Sequence, residues 1–207
     1  MRPRASRTIE NAVRRLGYAH VAGCDEVGRG CLAGPVVAAA VVLRSEEYVP
    51  GIKDSKVLTA AEREGLFGEI VGAAVAWAVS IIEPGEIDRI NIHRASLKAM
   101  REAVMALVPL PGFVIADGFR IPDLPMAQRN IIGGDRRSTA IAAASILAKV
   151  TRDRIMADLH AVDPRYGFDK HKGYATRAHL DAVAAFGYSP KHRRTFRPPT
   201  LFDTIPD

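Results

Sequence analysis

Cysteine is scarce in this chain: Cys24 and Cys31 are the only two among 207 residues. Two cysteines build neither a disulfide framework nor a four-ligand zinc site, so a reducing, cytoplasmic setting is expected. Long apolar runs are missing too. The longest nearly unbroken one, Leu32 to Leu43, is interrupted by Gly34 and Pro35 and is too short to span a bilayer. No apolar stretch follows the charged start Met1-Arg-Pro-Arg-Ala-Ser-Arg7. No secretory signal is therefore expected, and residues 1–17 read as a basic N-terminal segment with a solvated, frayed end. Repeats, low-complexity tracts and long linkers are absent, as are Ser-His-Asp and Cys-His patterns. The six histidines show no paired metal-ligand spacing.

What is present is an ordinary globular composition, 48% hydrophobic and 25% charged. A chain of this length buries about 70% of its unfolded surface and needs no covalent staple. Charge is uneven. Twenty-nine Lys and Arg against 23 Asp and Glu leave a formal +6, and a cationic protein attracts polyanions, nucleic acid above all. Arg2, Arg4, Arg7, Arg14 and Arg15 crowd the start, while Lys191, Arg193 and Arg194 near the end suggest a surface that tracks phosphates. The acids, by contrast, recur beside glycine: Asp25-Glu26 before Gly28, Asp117-Gly118, and Gly134-Asp135.

His20–Cys24, Val36–Leu43 and Val75–Ile82 have the Val/Ile/Ala content and Gly or Pro boundaries of buried strands. Thr59-Ala-Ala-Glu62 is a capping box that opens a helix to about Gly72. Asn91 is placed to cap a helix over Ile92–Val108, stopped by Pro109 and Pro111. Val114–Asp117 and Asn130–Ile132 read as short strands. Ser138 or Thr139 caps a long helix to about Leu159, and a last helix over Thr176–Phe186 ends at Gly187 as a left-handed cap. The pattern predicts an α/β fold, a mixed sheet flanked by helices, in residues 18–159. Residues 160–207 are expected to form a helical C-terminal extension and tail within the same unit.

Asp25 is expected where a buried strand ends, in low-dielectric surroundings that demand a cation or hydrogen-bond donors. An Asp-Glu dipeptide is also common on ordinary surfaces. Gly28 and Gly30 leave backbone N–H groups bare for an oxygen-rich ligand, although a tight turn alone also explains them. Asp117 ends a second strand. Asp135 precedes the long helix, where the helix dipole alone favours an acid. Together Asp25, Glu26, Asp117 and Asp135 offer carboxylates on turns at one side of a sheet, a set suited to hard divalent cations. Two such ions, Mg²⁺ or Mn²⁺, can activate water and stabilise the leaving oxygen of a phosphodiester.

The block from Asp25-Glu-Val-Gly-Arg-Gly30 through Leu43 resembles the signature of bacterial ribonuclease HII. Asp54-Ser-Lys56, Ile90-Asn-Ile92, Asp117-Gly118, Gly134-Asp135, Ala142–Arg154, His171-Lys-Gly-Tyr174 and His192-Arg-Arg-Thr-Phe196 extend the resemblance over about residues 18–198. The resemblance implies an RNase H-like fold with a helical C-terminal part. It also implies cleavage 5′ of a ribonucleotide in an RNA–DNA hybrid or in ribonucleotide-containing duplex DNA, leaving a 3′-hydroxyl and a 5′-phosphate. The family's metal-binding acids fall on Asp25, Glu26, Asp117 and Asp135. Its sugar-reading motif falls on Gly28, Arg29 and Gly30, whose backbone contacts the 2′-hydroxyl that distinguishes RNA from DNA. Its tyrosine, which stacks on the following deoxyribose, falls on Tyr174. Cys31 stands where the family usually has proline, and Gly133-Gly-Asp-Arg-Arg-Ser138 where it usually has a lysine.

Rival readings are a related ribonuclease HIII, for whose extra N-terminal domain the residues before Asp25 leave no room, and a basic nucleic-acid-binding module without catalysis. The latter has no need of four carboxylates, each of which repels phosphate. A small-molecule phosphatase is a third, and the dispersed arginines favour a polymer instead. No membrane association is expected, and a monomer is. Thr200-Leu-Phe-Asp203 faintly resembles a sliding-clamp peptide but lacks its glutamine.

Overall fold

Three strands dominated by Val, Ile and Ala open the sheet: β1 (Val21–Val27), β2 (Val36–Leu43) and β3 (Ala74–Ile82). They pair antiparallel, β1 with β2 and β2 with β3. β4 (Phe113–Asp117) then joins β1 in parallel, and β5 (Ala127–Ile131) joins β4 in parallel, giving the order β3-β2-β1-β4-β5. This is a computed structural model, and it describes residues 5–52 and 55–196 apart from the side chain of Lys56. Arg2, Arg4, Asp54 and the suggested clamp peptide at 200–203 lie outside the described residues.

The helices are α1 (Thr8–Arg15), α2 (Ala60–Ala73), α3 (Pro84–Ile90), α4 (Ile92–Met105), α5 (Thr139–Val162), α6 (Phe168–His171) and α7 (Arg177–Phe186). Every residue of β2 is buried because both sheet faces are covered, which explains its unbroken apolar run. On one face Ala99, Met100 and Ala103 of α4 pack against Cys24, Ala38 and Ala40. On the other, Ala143, Ile146 and Leu147 of α5, with Ile70 of α2, pack against Val37, Ala39 and Val41. The small residues of α5 let it lie close to the sheet. At Gly23 the approach is so close that an added Cβ would stand 2.1 Å from the carbonyl carbon of Ala140.

Residues after α5 fold back onto the loop between β1 and β2. Met156, Tyr166, Phe168 and Val183 enclose Leu32 and Ala33 in a separate small core. Burying a ring such as Phe168, 1% exposed, contributes about 1.5–3 kcal/mol.

Several elements differ from the sequence expectation. The N-terminal segment is not frayed from Thr8 onward: α1 docks, and its Glu10 accepts hydrogen bonds from Ser138 Oγ and Ala140 N at the start of α5. Arg7 and Arg14 donate to the carbonyls of Arg44 and Leu43 instead of lying free. The helix begun at Asn91 stops at Met105, before the prolines, and α3 precedes it with Pro84 in its first turn. Gly187 has positive φ (71°) but ψ of −169°, so the chain leaves α7 extended and does not form the left-handed cap.

Candidate active site

Register places the first two acids together. β1 and β4 run parallel with Cys24 opposite Ala116, so Asp25 and Asp117 are the next residues along adjacent strands. Cys24 and Ala116 face α4, and strand alternation turns Asp25 and Asp117 to the α5 side. Glu26 lies on the opposite face, opposite Ala38. The expectation that these acids sit on turns is corrected here. Asp25 and Glu26 lie within β1, which continues to Val27 because residues 25–27 still pair with β2, and Asp117 is the last residue of β4. Asp135 does sit on a turn, a short 3₁₀ segment before α5, and is 4% exposed.

The electrostatics are those of crowded anions. Burial, then the charges of Glu26 and Asp117, raise the Asp25 pKa well above the usual carboxylate range; a hydrogen bond from Ser145 offsets part of this. Ser145 in turn contacts Ser55 Oγ at 2.9 Å. Burial also raises Glu26, opposed by Arg29 and reinforced by Asp117. Arg29 Nη1 lies 3.0 Å from Glu26 Oε1, with its guanidinium 5.0 Å from the centre of the Phe119 ring. Gly134 N donates to Asp117 Oδ1 at 2.7 Å and so ties the turn bearing Asp135 to β4.

Among the described residues no three His, Cys, Asp or Glu side chains already converge as a metal cage. Glu26 points to the other face with one oxygen on Arg29, and one Asp117 oxygen is held by a backbone amide. The donor set nevertheless fits hard cations. It is all oxygen, Asp25 and Asp135 are buried and Glu26 and Asp117 half-buried, and Asp25, Glu26 and Asp117 repel one another in a way a divalent ion would relieve. Asp25, Glu26, Asp117 and Asp135 are the residues that would hold such ions.

Beside the acids runs the loop 28–35. Gly28 has φ of 92°, and a Cβ there would fall 2.3 Å from Arg152 Nε and 2.8 Å from the Pro35 carbonyl, so the fold itself demands glycine. Gly30 is different. An added Cβ would meet nothing within 4 Å, which leaves its surface open to a ligand. Cys31 N donates to the Gly28 carbonyl at 3.4 Å, a bond the family's usual proline cannot make.

Two arginines that sequence reasoning left without this role frame that loop. Arg152, 0% exposed, donates to the carbonyls of Pro35, Ala33 and Lys172. Arg193 corrects an expectation: it is 0% exposed and cannot track phosphates. Its guanidinium donates to the carbonyls of Gly28, Arg29 and Gly34, and burial draws its pKa down to about 10, still charged at neutral pH. No charge count distinguishes such an arginine from a surface one, because its partners are backbone oxygens. Lys191, by contrast, stays partly exposed and lies 3.4 Å from Glu83, and Arg194 is exposed with its guanidinium over Tyr188.

Tyr174 follows two positive-φ residues, Lys172 and Gly173, and its side of the chain is fastened to the loop by Leu32 N donating to the Gly173 carbonyl at 2.8 Å. Tyr174 is 42% exposed, and burial, then the neighbouring Cys31 thiol, raise the pKa of its hydroxyl. Loop, tyrosine and acids thus share one end of the sheet.

The ribonuclease HII family model matches residues 22–199. A ribonuclease HII of Geobacter sulfurreducens is 53% identical over 189 residues, covering 91% of this chain and 87% of that protein. The ribonuclease H2 structure from Pyrococcus horikoshii is 26% identical with a TM-score of 0.73, covering 89% of this chain and 96% of that one. A ribonuclease HIII solved in complex with Mn²⁺ is 21% identical with a TM-score of 0.68, covering 85% of this chain and 65% of that one, a likeness of fold. The chain belongs to the ribonuclease HII family of metal-dependent ribonuclease H endonucleases.

Proposed function

We propose that the chain hydrolyses the phosphodiester 5′ of a ribonucleotide, both in RNA–DNA hybrids and at single ribonucleotides embedded in duplex DNA. The products are a 3′-hydroxyl and a 5′-phosphate. The observation that carries this reading is the placing of buried Asp25 beside half-buried Asp117 on adjacent parallel strands, in a chain of net charge +6. Carboxylates so placed repel a phosphate unless cations stand between them and it.

Two Mg²⁺ or Mn²⁺ ions held by Asp25, Glu26, Asp117 and Asp135 would activate the attacking water and stabilise the departing 3′-oxygen. The chain's own groups do the rest. Ser145 orients Asp25, and Gly134 N–H orients Asp117. The open surface of Gly30, with the backbone of Gly28 and Arg29, receives the 2′-hydroxyl, a group DNA lacks. Tyr174 packs on the next deoxyribose. Lys191 and Arg194 meet phosphates. We read residues 18–159 as the catalytic part and 160–207 as its extension, in a cytoplasmic monomer whose Cys24 and Cys31 are both free and buried.

The test is a labelled duplex carrying one ribonucleotide, incubated with and without Mg²⁺, using the wild type and Asp117→Asn. Cleavage should need Mg²⁺ and leave a 5′-phosphate on the ribonucleotide. Asp117→Asn should bind the duplex yet cut at a small fraction of the wild-type rate. Metal-independent cleavage, or normal turnover by Asp117→Asn in saturating Mg²⁺, would overturn the reading.

A further inference from the structure

Behind Tyr174 lies a buried pair of histidines that no part of the mechanism above uses. His179 is 0% exposed and His192 2%. Their Nε2 atoms face each other at 3.0 Å. His192 Nδ1 lies 3.0 Å from Ser189 N and 2.8 Å from Ser189 Oγ, while His179 Nδ1 lies 2.9 Å from the Tyr174 carbonyl oxygen.

The two ends of this chain dictate where the protons are. A backbone N–H only donates, so His192 Nδ1 is bare and accepts from Ser189. A carbonyl only accepts, so His179 Nδ1 carries its hydrogen and donates to Tyr174. One proton remains for the facing nitrogens: His192 Nε2–H donates to a bare His179 Nε2. Hydrogen bonds therefore run in a single direction from Ser189 through both imidazoles to Tyr174, and both rings are neutral. An added proton has no place, since each bare nitrogen already faces a donor.

Tyr174 needs this support. It stands between α6 and α7, outside any regular element, directly after left-handed Lys172 (φ 51°) and Gly173 (φ 82°). On one side the Gly173 carbonyl is held by Leu32 of the glycine loop, and on the other the Tyr174 carbonyl accepts from Thr176 N at 2.8 Å and from the His179 ring, the one side chain among the described residues that fastens it to the C-terminal core. His192 and Arg193 are adjacent in sequence, yet Arg193 grips the carbonyls of Gly28 and Arg29 while His192 supports Tyr174. Two neighbouring residues thus set the distance between the loop that reads one sugar and the ring that reads the next.

We infer that His179 and His192 are positioning residues for substrate specificity, holding Tyr174 in register with the Gly28–Gly30 loop through a one-way hydrogen-bond relay. This rests on Tyr174 reading the deoxyribose after the ribonucleotide. It extends the discrimination between an isolated ribonucleotide and a continuous hybrid from Tyr174 to two groups behind it that never touch substrate.

The experiment compares kcat/KM on a single embedded ribonucleotide with kcat/KM on a continuous RNA–DNA hybrid, for the wild type, Tyr174→Ala, His179→Asn and His179→Gln. Asparagine carries an amide donor near the position of Nδ1 and should keep the wild-type ratio. Glutamine carries its donor near Nε2, leaves the Tyr174 carbonyl with the Thr176 N–H alone, and should lower the ratio by about tenfold, as Tyr174→Ala should. Equal ratios for the asparagine and glutamine variants, with a changed ratio in Tyr174→Ala, would overturn the relay alone. An unchanged ratio in Tyr174→Ala would overturn the role of Tyr174, and the relay with it. Imidazole ¹⁵N spectra of the full chain give an independent readout: His192 should be the Nε2–H tautomer and His179 the Nδ1–H tautomer, and the reverse at His179 would sink the inference.

Discussion

Asp117 Oδ1 accepts the backbone N–H of Gly134 at 2.7 Å, which joins the end of β4 to the turn that carries Asp135. The turn has no room for a larger residue. A Cβ on Gly134 would lie 2.5 Å from Ile141 Cδ1 and 3.2 Å from Asp117 Oδ1. Gly134→Ala should therefore displace the turn and lower kcat at saturating Mg²⁺ by about tenfold or more, since misplacement of about 1 Å costs that and more. Duplex affinity, set by phosphate contacts, should change little. An unaltered kcat would show that this bond does not position the acids.

Asp25→Asn should raise the melting temperature of the metal-free protein. Burial and the charges of Glu26 and Asp117 push the Asp25 pKa up, so its ionised form opposes folding at neutral pH. The same variant should lose most of the stabilisation that added Mg²⁺ gives the wild type, because a ligand stabilises only the fold that binds it. Thermal melts with and without Mg²⁺ check both halves. A lower metal-free melting temperature would contradict the crowding of these carboxylates.

Arg193→Lys should weaken the fold and the glycine loop together. The lysine ammonium cannot reproduce a planar fork that serves the carbonyls of Gly28, Arg29 and Gly34. Gly28 keeps the Cys31 N–H, but leaving the Arg29 and Gly34 carbonyls unpaired costs about 1–3 kcal/mol each, so urea denaturation should show a loss of about 3 kcal/mol. KM for a single embedded ribonucleotide should rise in parallel. A loss within experimental error would mean that the loop is held by other contacts.

Acid should destabilise the protein through His179 and His192. Burial draws both pKa values from the ordinary 6.5 to about 4. Above pH 6.5 the imidazoles are neutral folded and unfolded. Between pH 6.5 and 4 the unfolded chain takes up protons that the folded chain refuses, so stability falls as pH falls. Each histidine contributes a slope of up to about 1.4 kcal/mol per pH unit. The raised pKa values of Asp25 and Glu26 act oppositely, since their protonation relieves the folded state. The acid loss should thus be steeper in Asp25→Asn, measured by urea denaturation at pH 7 and pH 5.

Local chemistry by itself determined the boundaries of several elements. Thr59 and Glu62 form their reciprocal capping box, each side chain meeting the other's backbone N–H, because this signal depends on residues three apart. β2 was legible because a strand buried on both faces has to be apolar throughout. The acids stood out because carboxylates next to glycine and strand ends are conspicuous in a basic chain. Tertiary structure decided everything that depends on partners distant in sequence. The parallel pairing of β1 with β4 sets Asp25 beside Asp117 across more than ninety intervening positions, and no local pattern encodes that register. α1 docks because Glu10 finds the start of α5. Arg193 lies buried, and His179 faces His192, because the segment after α5 folds back over loop 28–35, whose carbonyls meet Arg193, and brings its two imidazoles together. An arginine or histidine in sequence carries only its charge and donors; the fold chooses whether those meet solvent, substrate or backbone, through whichever burial leaves the fewest polar groups unpaired.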